Sequence, residues 1–216
     1  MKDYRVIAFD LDGTLADPAE GLLPTFAYAL SKMGVDYGTR DSLRRYIGPP
    51  LVSAWREDFG FSEEELRCAM DYFHEYYDVY GWWDNTLYPG IPDLLAALKR
   101  AGKKVLLATS KPQRFAGRIL PRLGLSPYFD AVVGALSDGE RDKKWEVLSA
   151  GLSLLGEKPE DAVLVGDRRF DAEGAGRVGA DAVGVLYGHG SEKELREAPF
   201  LALVRTADEL KPLLLG

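Results

Sequence analysis

The chain has 216 residues, 46% hydrophobic and 28% charged, enough for one good core or a core carrying a smaller insert. The net charge of −7 is uneven: residues 16–85 hold 13 Asp/Glu against 6 Lys/Arg, and the remainder holds 21 of each. That balance excludes the basic face a nucleic-acid partner needs, and a single cysteine, Cys68, excludes an internal disulfide.

Residues 5–10, Arg-Val-Ile-Ala-Phe-Asp, form an apolar run that ends abruptly in the polar turn Asp-Leu-Asp-Gly-Thr, the signature of a buried parallel strand. Residues 16–85 then read as amphipathic helices without a convincing strand, and they carry 14 of the chain's 24 aromatic residues. Within them Cys68 reads as a small buried helix residue. Tyr72, Phe73, Tyr76, Tyr77 and Tyr80 read as helix-packing side chains, because a small helical unit needs bulky residues for a core. Trp82 and Trp83 fall near the return to the main body. A helix is predicted over 92–101, a strand over 104–109, a helix over 112–123 and a strand over 131–134. A helix over 144–155, a strand over 162–166, a helix over 170–178 and a strand over 181–185 follow. Strand and helix alternating in this way give a Rossmann-like α/β core, a parallel sheet with helices on both faces. The predicted domains are a core of 1–15 and 86–216 and an inserted α-helical cap of 16–85. No apolar run approaches a membrane span and no signal-peptide core is present, so a cytoplasmic chain without a membrane partner is expected.

In such a sheet the functional residues lie at the carboxyl ends of the strands. Those ends supply Asp10 and Asp12, then Thr109 and Ser110, then Asp167 with Asp171 four residues on. Lys143 and Lys144 open the helix between the third and fourth strands. Clustered carboxylates repel unless a cation lies between them, and an all-oxygen set suits Mg²⁺. A metal-neutralised aspartate can attack phosphorus, a second carboxylate can move the proton, and a hydroxyl and a lysine can hold the phosphoryl oxygens. Taken singly, Gly166-Asp167 is turn chemistry, Thr109 a helix cap, and the lysines a solvated charge run. The pair Asp10 and Asp12 with Gly13 at one strand mouth has no packing purpose, and the conjunction favours chemistry. Gly174-Ala-Gly176-Arg-Val-Gly179 matches G-x-G-x-x-G but lies inside a predicted helix, so its small residues read as allowing close helix–sheet packing. His74 and His189 have no partner at metal-binding spacing and read as structural, with His189 near a strand end where it could border the crevice.

Asp10-Leu-Asp-Gly-Thr-Leu, Ala108-Thr-Ser-Lys-Pro112, Lys144 and Gly166-Asp-Arg-Arg-Phe-Asp171 resemble, in order, the four motifs of the haloacid dehalogenase superfamily. The helical insert resembles that superfamily's C1 cap. Tyr88-Pro89-Gly90, at the return to the core, also resembles that C1 subgroup, and Arg45-Tyr-Ile-Gly-Pro-Pro-Leu51 resembles a cap segment of phosphoglycolate-phosphatase-like members.

The resemblance implies Asp10 as nucleophile and magnesium ligand, and Asp12 as acid/base with its carbonyl on the metal. It implies Thr109 and the Ser110 backbone on the phosphoryl group, and Lys144, or else Lys143, neutralising it. Asp167 would ligate the metal, and Asp171 would hold its waters or the lysine. Gly13 and Lys111 would line the phosphate site, while Arg44 and Arg45 of the insert would hold a second anionic group of the substrate. A cap of this kind would close over the site and exclude water. The expected activity is magnesium-dependent hydrolysis of a small phosphorylated metabolite, phosphoglycolate-like or a nucleoside monophosphate, by a monomer or homodimer. The alternatives are a sugar-phosphate mutase of the same superfamily, a receiver-type signalling domain, or a non-catalytic binding protein. Asp12 argues against a dehalogenase, whose halide leaving group needs no acid. The Asp-x-Asp pattern and the long insert argue against a receiver domain.

Overall fold

The structure is a computed structural model that describes residues 2–49, 51–136 and 141–215. Pro50, in the segment Arg45–Leu51 singled out above, lies outside the described residues. The chain divides into two compact units, Met1–Ala16 with Leu87–Gly216, and Asp17–Thr86.

The first unit is organised by a sheet. The run after Arg5 forms β1 (Val6–Phe9), with every residue buried. The two-residue strands β2 (Ala16–Asp17) and β3 (Thr86–Leu87) pair where the chain passes between units. Five longer strands follow: β4 (Lys104–Pro112), β5 (Ala131–Ala135), β6 (Ala162–Gly166), β7 (Asp181–Val185) and β8 (Ala202–Val204). Apart from β2 and β3, the strands form a six-stranded parallel sheet in the order β5-β4-β1-β6-β7-β8. After β1 the chain builds outward through β4 and β5, then crosses back to β6 on the other side. That reversal opens a crevice at the carboxyl ends of β1, β4 and β6.

Two strands differ from expectation. β4 runs past Thr109 to Pro112, with a register irregularity between Ala108 and Pro112 before Pro112 pairs with Ala135. Proline is tolerated there because it stands at the strand's end. β8 is an unforeseen edge strand whose three half-buried or buried residues are too few to carry a periodicity.

The second unit contains α1 (Ala19–Lys32), a 3-10 stretch Arg40–Tyr46, α2 (Leu51–Phe59), α3 (Glu63–Tyr76) and a π turn Tyr77–Gly81. α3 starts on a capping box in which Ser62 and Glu65 satisfy each other's backbone N–H groups. The aromatic residues do make its core. Phe26 meets Tyr46 and Trp55 edge-on at 6.1 and 6.2 Å and stacks on Phe73 at 6.0 Å. Gly21 and Gly81 let backbones touch, since a Cβ on Gly21 would lie 1.9 Å from the Gly81 carbonyl oxygen. Two expectations are corrected here. Cys68 is exposed, because the buried stripe of α3 is Leu66, Ala69 and Phe73 and a residue two places after Leu66 points about 200° around the helix. Phe73 and Tyr77 are buried, but Tyr80 is 61% exposed and tilts against the outer ring of Tyr76.

The remaining helices belong to the sheet unit: α4 (Ile91–Arg100), α5 (Gln113–Arg122), α6 (Lys144–Leu155), α7 (Arg169–Val178), α8 (Glu192–Glu197) and α9 (Ala207–Leu215). α6 and α7 pack on each other over the face formed by Val6, Ala8, Leu106, Ala108 and Leu164. The alternate residues Ile7, Phe9, Val105, Leu107, Val163 and Val165 are fully buried too. Both faces of the sheet are therefore covered, which is why these strands read as continuous apolar runs. No helix among the described residues is long and apolar enough to cross a membrane.

Candidate active site

Asp10 is the first residue past β1, and its N–H extends the ladder to the Val165 carbonyl at 3.0 Å. Its Oδ1 accepts the Leu11 N–H at 2.8 Å and lies 2.9 Å from Lys144 Nζ. Lys144 opens α6 and is buried. Its ammonium also lies 2.9 Å from Asp171 Oδ1 and donates to the Ala108 carbonyl at 3.3 Å. Lys143 is the exposed residue just before the helix. Of the two candidate lysines, only Lys144 enters the cluster. Burial opposes its charge, but the carboxylates of Asp10 and Asp171 outweigh burial and push its pKa above the ordinary lysine value.

Asp167 follows β6 and is buried. Its Oδ2 accepts the His189 N–H at 2.8 Å, and its Oδ1 has no hydrogen-bond partner among the described residues. Burial drives its pKa well above the ordinary carboxylate value, and the charges of Asp171 and Asp10 add to that. Asp171 sits in the first turn of α7, with its Oδ2 accepting the Arg168 N–H at 3.0 Å. Burial pushes its pKa to about 6, opposed by Lys144 and reinforced by Asp10.

Carboxylate oxygens of Asp10, Asp167 and Asp171 lie within 4.8 Å of one another. Three acids, one lysine and a buried oxygen without a partner fit a hard divalent cation bound by oxygen, the donor set that suits Mg²⁺.

The other predicted residues have distinct places. Asp12 gives no side-chain oxygen to the acidic cluster. Its Oδ2 is 2.6 Å from Lys111 Nζ, and its Oδ1 is buried without a hydrogen-bond partner among the described residues. Thr109 is buried at the irregular part of β4, and its Oγ1 accepts the Lys111 N–H at 3.2 Å. Ser110 beside it is exposed. In the second unit, Arg44 pairs with Asp41 at 2.7 Å, while Arg45 binds the Tyr46 hydroxyl at 2.8 Å and Asp58 at 3.2 Å.

Gly13 has φ +79°, and a Cβ there would stand 2.0 Å from Asp167 Oδ2, so the turn after Asp12 needs glycine on both counts. Gly174 accounts for part of the dinucleotide-like pattern. A Cβ there would come within 2.8 Å of Lys144 Cβ and Cγ, so this glycine lets α7 close on α6. The close approach is between two helices, where helix–sheet packing was expected.

The loop Tyr187–Gly190 adds to the site a contact to which sequence reasoning gave no role, although it placed His189 near a strand end bordering the crevice. Its His189 N–H holds Asp167, and a Cβ on Gly188 would meet the Asp167 side chain at 2.4 Å. The Tyr187 hydroxyl donates to the Thr14 carbonyl at 2.9 Å, tying this loop to the first motif. The available signal was two glycines flanking His189 just beyond a strand end.

Comparison with known proteins agrees with this geometry. A family profile described as haloacid dehalogenase-like hydrolase matches residues 7–185. The chain is 39% identical over 193 residues to a Pseudomonas aeruginosa 5'-nucleotidase, covering 89% of this chain and 87% of that protein. It is 33% identical over 209 residues to an Aquifex aeolicus phosphoglycolate phosphatase, covering 96% and 95%. A Mycobacterium tuberculosis relative named tyrosine-protein kinase PtkA is 39% identical over 86% of this chain, which spans 63% of that longer protein. The crystal structure of a predicted phosphatase from Clostridium acetobutylicum superposes with a TM-score of 0.93 at 38% identity, covering 98% of each chain.

Proposed function

The chain belongs to the haloacid dehalogenase-like hydrolases and is an enzyme of the phosphatase class; from that premise we propose that it hydrolyses a small phosphate monoester through a phosphoryl group carried on Asp10. The observation that carries this reading is the position of Lys144, 2.9 Å from both Asp10 and Asp171, two acids whose carboxylate oxygens lie within 4.8 Å of that of Asp167.

Asp10 uses one carboxylate oxygen to attack phosphorus. The bond from that oxygen to phosphorus forms as the bond from phosphorus to the leaving oxygen breaks. Asp12 gives its proton to the leaving oxygen and later takes one from the water that attacks phosphorus. That second attack breaks the Asp10 oxygen–phosphorus bond and releases phosphate. Thr109 Oγ1 and the Ser110 backbone hold the phosphoryl oxygens, and Lys144 offsets the charge that builds there. Asp10, Asp167 and Asp171 would hold the magnesium ion, with the Asp12 carbonyl as a further ligand. When bound, the ion supplies positive charge that keeps the clustered acids ionised and stabilises charge on the phosphoryl group. Gly13 lets the turn after Asp12 pass against the Asp167 carboxylate, where a Cβ would clash.

The substrate class is a small phosphorylated metabolite, with nucleoside 5'-monophosphates and phosphoglycolate the leading members. Support comes from relatives named 5'-nucleotidase and phosphoglycolate phosphatase. The test is phosphate release with Mg²⁺ from a panel holding both, alongside sugar phosphates, for the parent and Asp10→Asn. The reading requires release by the parent that stops in the variant and on chelation. Inertness of the parent on the whole panel, relieved only by a sugar bisphosphate, would instead mark a mutase.

A further inference from the structure

Lys111, expected to line the phosphate site, has its ammonium 2.6 Å from Asp12 Oδ2, with side-chain exposures of only 5% and 18%. A buried ammonium needs an opposite charge or hydrogen-bond acceptors beside it. One of its partners is the acid/base, 99 residues away in sequence. The pairing is built into the backbone. Lys111 lies on the irregular stretch of β4 between Ala108 and Pro112, and its N–H donates to Thr109 Oγ1 at 3.2 Å. One oxygen of Asp12 is thereby occupied. The other, Oδ1, is buried and has no hydrogen-bond partner among the described residues.

We propose that Lys111 is the positioning residue of Asp12: it anchors Oδ2 so that Oδ1 is the oxygen that gives up and takes back the proton. This rests on the acid/base role given to Asp12 above. In the first half-reaction the proton on Oδ1 passes to the leaving oxygen as its bond to phosphorus breaks and the Asp10–phosphorus bond forms. In the second, a proton of the attacking water returns to Oδ1 as the Asp10–phosphorus bond breaks. Lys111 loses and gains no proton in either step. Its contribution is to hold the carboxylate in one orientation, so that no orientational freedom is lost as the proton moves. The arrangement also ties the acid/base to Thr109, because one residue of β4 touches both.

The effect is specific to leaving groups that need a proton. The experiment measures kcat/KM with Mg²⁺ across a series of phosphomonoesters, from p-nitrophenyl phosphate to alkyl phosphates, for the parent, Lys111→Met, Asp12→Asn and the double variant. For Lys111→Met a loss within about threefold is expected on p-nitrophenyl phosphate, and a loss on the order of tenfold to a hundredfold on alkyl phosphates, part of the range general acid catalysis supplies. Asp12→Asn steepens the series in the same sense, and adding Lys111→Met to it costs nothing more. Lys111→Gln serves in the same way if the methionine variant does not fold, as judged by thermal unfolding. A uniform loss across the series overturns the proposal, because it places Lys111 on the phosphoryl group or in the fold alone. Additive losses in the double variant overturn it too. If Asp12→Asn leaves the series flat while Asp10→Asn abolishes release, the acid/base assignment of Asp12 fails, and the role of Lys111 falls with it. If Asp10→Asn remains active, the failure lies in the proposed function itself.

Discussion

Gly174 of α7 stands so close to Lys144 of α6 that a Cβ on the glycine would lie 2.8 Å from the lysine's own Cβ and Cγ. The contact falls at the root of the side chain, where a lysine cannot swing away. Gly174→Ala is therefore expected to displace Lys144 from Asp10 and Asp171. Overpacking of this kind costs about 1–3 kcal/mol. The accompanying loss of kcat is expected to exceed that of Gly176→Ala, a position on the same helix where a Cβ meets open space. Steady-state kinetics and thermal unfolding of the two variants provide the check.

Lys144→Met removes the ammonium from between two carboxylates, both of them 2.9 Å away. Breaking a buried ion pair from one side costs about 3–5 kcal/mol, because the remaining charge is uncompensated. Phosphate release is expected to fall by at least about a hundredfold, the scale of losing one preorganised electrostatic partner. The loss of melting temperature is expected to be smaller with Mg²⁺ than with chelator.

The acidic cluster makes metal-free stability depend on pH with a definite sign. Asp171 titrates near 6 in the fold, against an ordinary value of 3.8, and Asp167 is shifted upward as well. Between those values the folded chain keeps protons that the unfolded chain releases, so stability falls as pH rises through that window. A divalent ion displaces the protons and opposes the trend. Thermal unfolding with and without Mg²⁺ is expected to show a stabilisation that grows from pH 5 to pH 8.

Asp130 behaves in the opposite way. Its carboxylate accepts from Lys99 Nζ at 2.7 Å on each oxygen, and Oδ2 accepts the Val105 N–H at 2.7 Å. Burial works against its charge, but these bonds prevail and hold its pKa below the ordinary value. The stabilisation is present above the unfolded value of 3.8 and is lost as pH falls through the lower folded value. With the pair about one-third exposed, Asp130→Asn is expected to cost about 1 kcal/mol at pH 7. Urea unfolding is expected to show that difference closing as pH drops below the ordinary carboxylate range.

The glycine loop separates backbone from side-chain roles. His189 serves Asp167 through its N–H, so His189→Ala is expected to keep the Mg²⁺ dependence of phosphate release nearly unchanged. Gly188→Ala places a Cβ 2.4 Å from Asp167 Cβ, and is expected to raise the Mg²⁺ concentration needed for half-maximal rate.

What could be read from the sequence follows from what each feature depends on. β1, β6 and β7 were legible because a sheet covered on both faces demands unbroken apolar runs. β8 was not, since three residues at a sheet edge carry no period, and the short helix Glu192–Glu197 offers too few turns to show one. Cys68 and Tyr80 were misplaced because composition cannot give the phase of a helix face, which tertiary packing sets. Asp10 and Asp167 stand at strand ends, with Asp171 in the first turn of the helix that follows, where the topology of a parallel sheet makes position informative. The Lys111–Asp12 pair spans 99 residues and depends on an irregular strand. The hold on Asp167 comes from a backbone N–H, which carries no residue-type signature.

The central claim is that the phosphoryl group passes through Asp10, and the most direct measurement is chemical trapping of that linkage. The protein is mixed with Mg²⁺ and a turned-over substrate, quenched within one turnover and treated with borohydride, which reduces an acyl phosphate to an alcohol. Peptide mass spectrometry is predicted to find homoserine at position 10, dependent on substrate and Mg²⁺. Full turnover with position 10 unmodified, or with the modification at another carboxylate, would contradict the account.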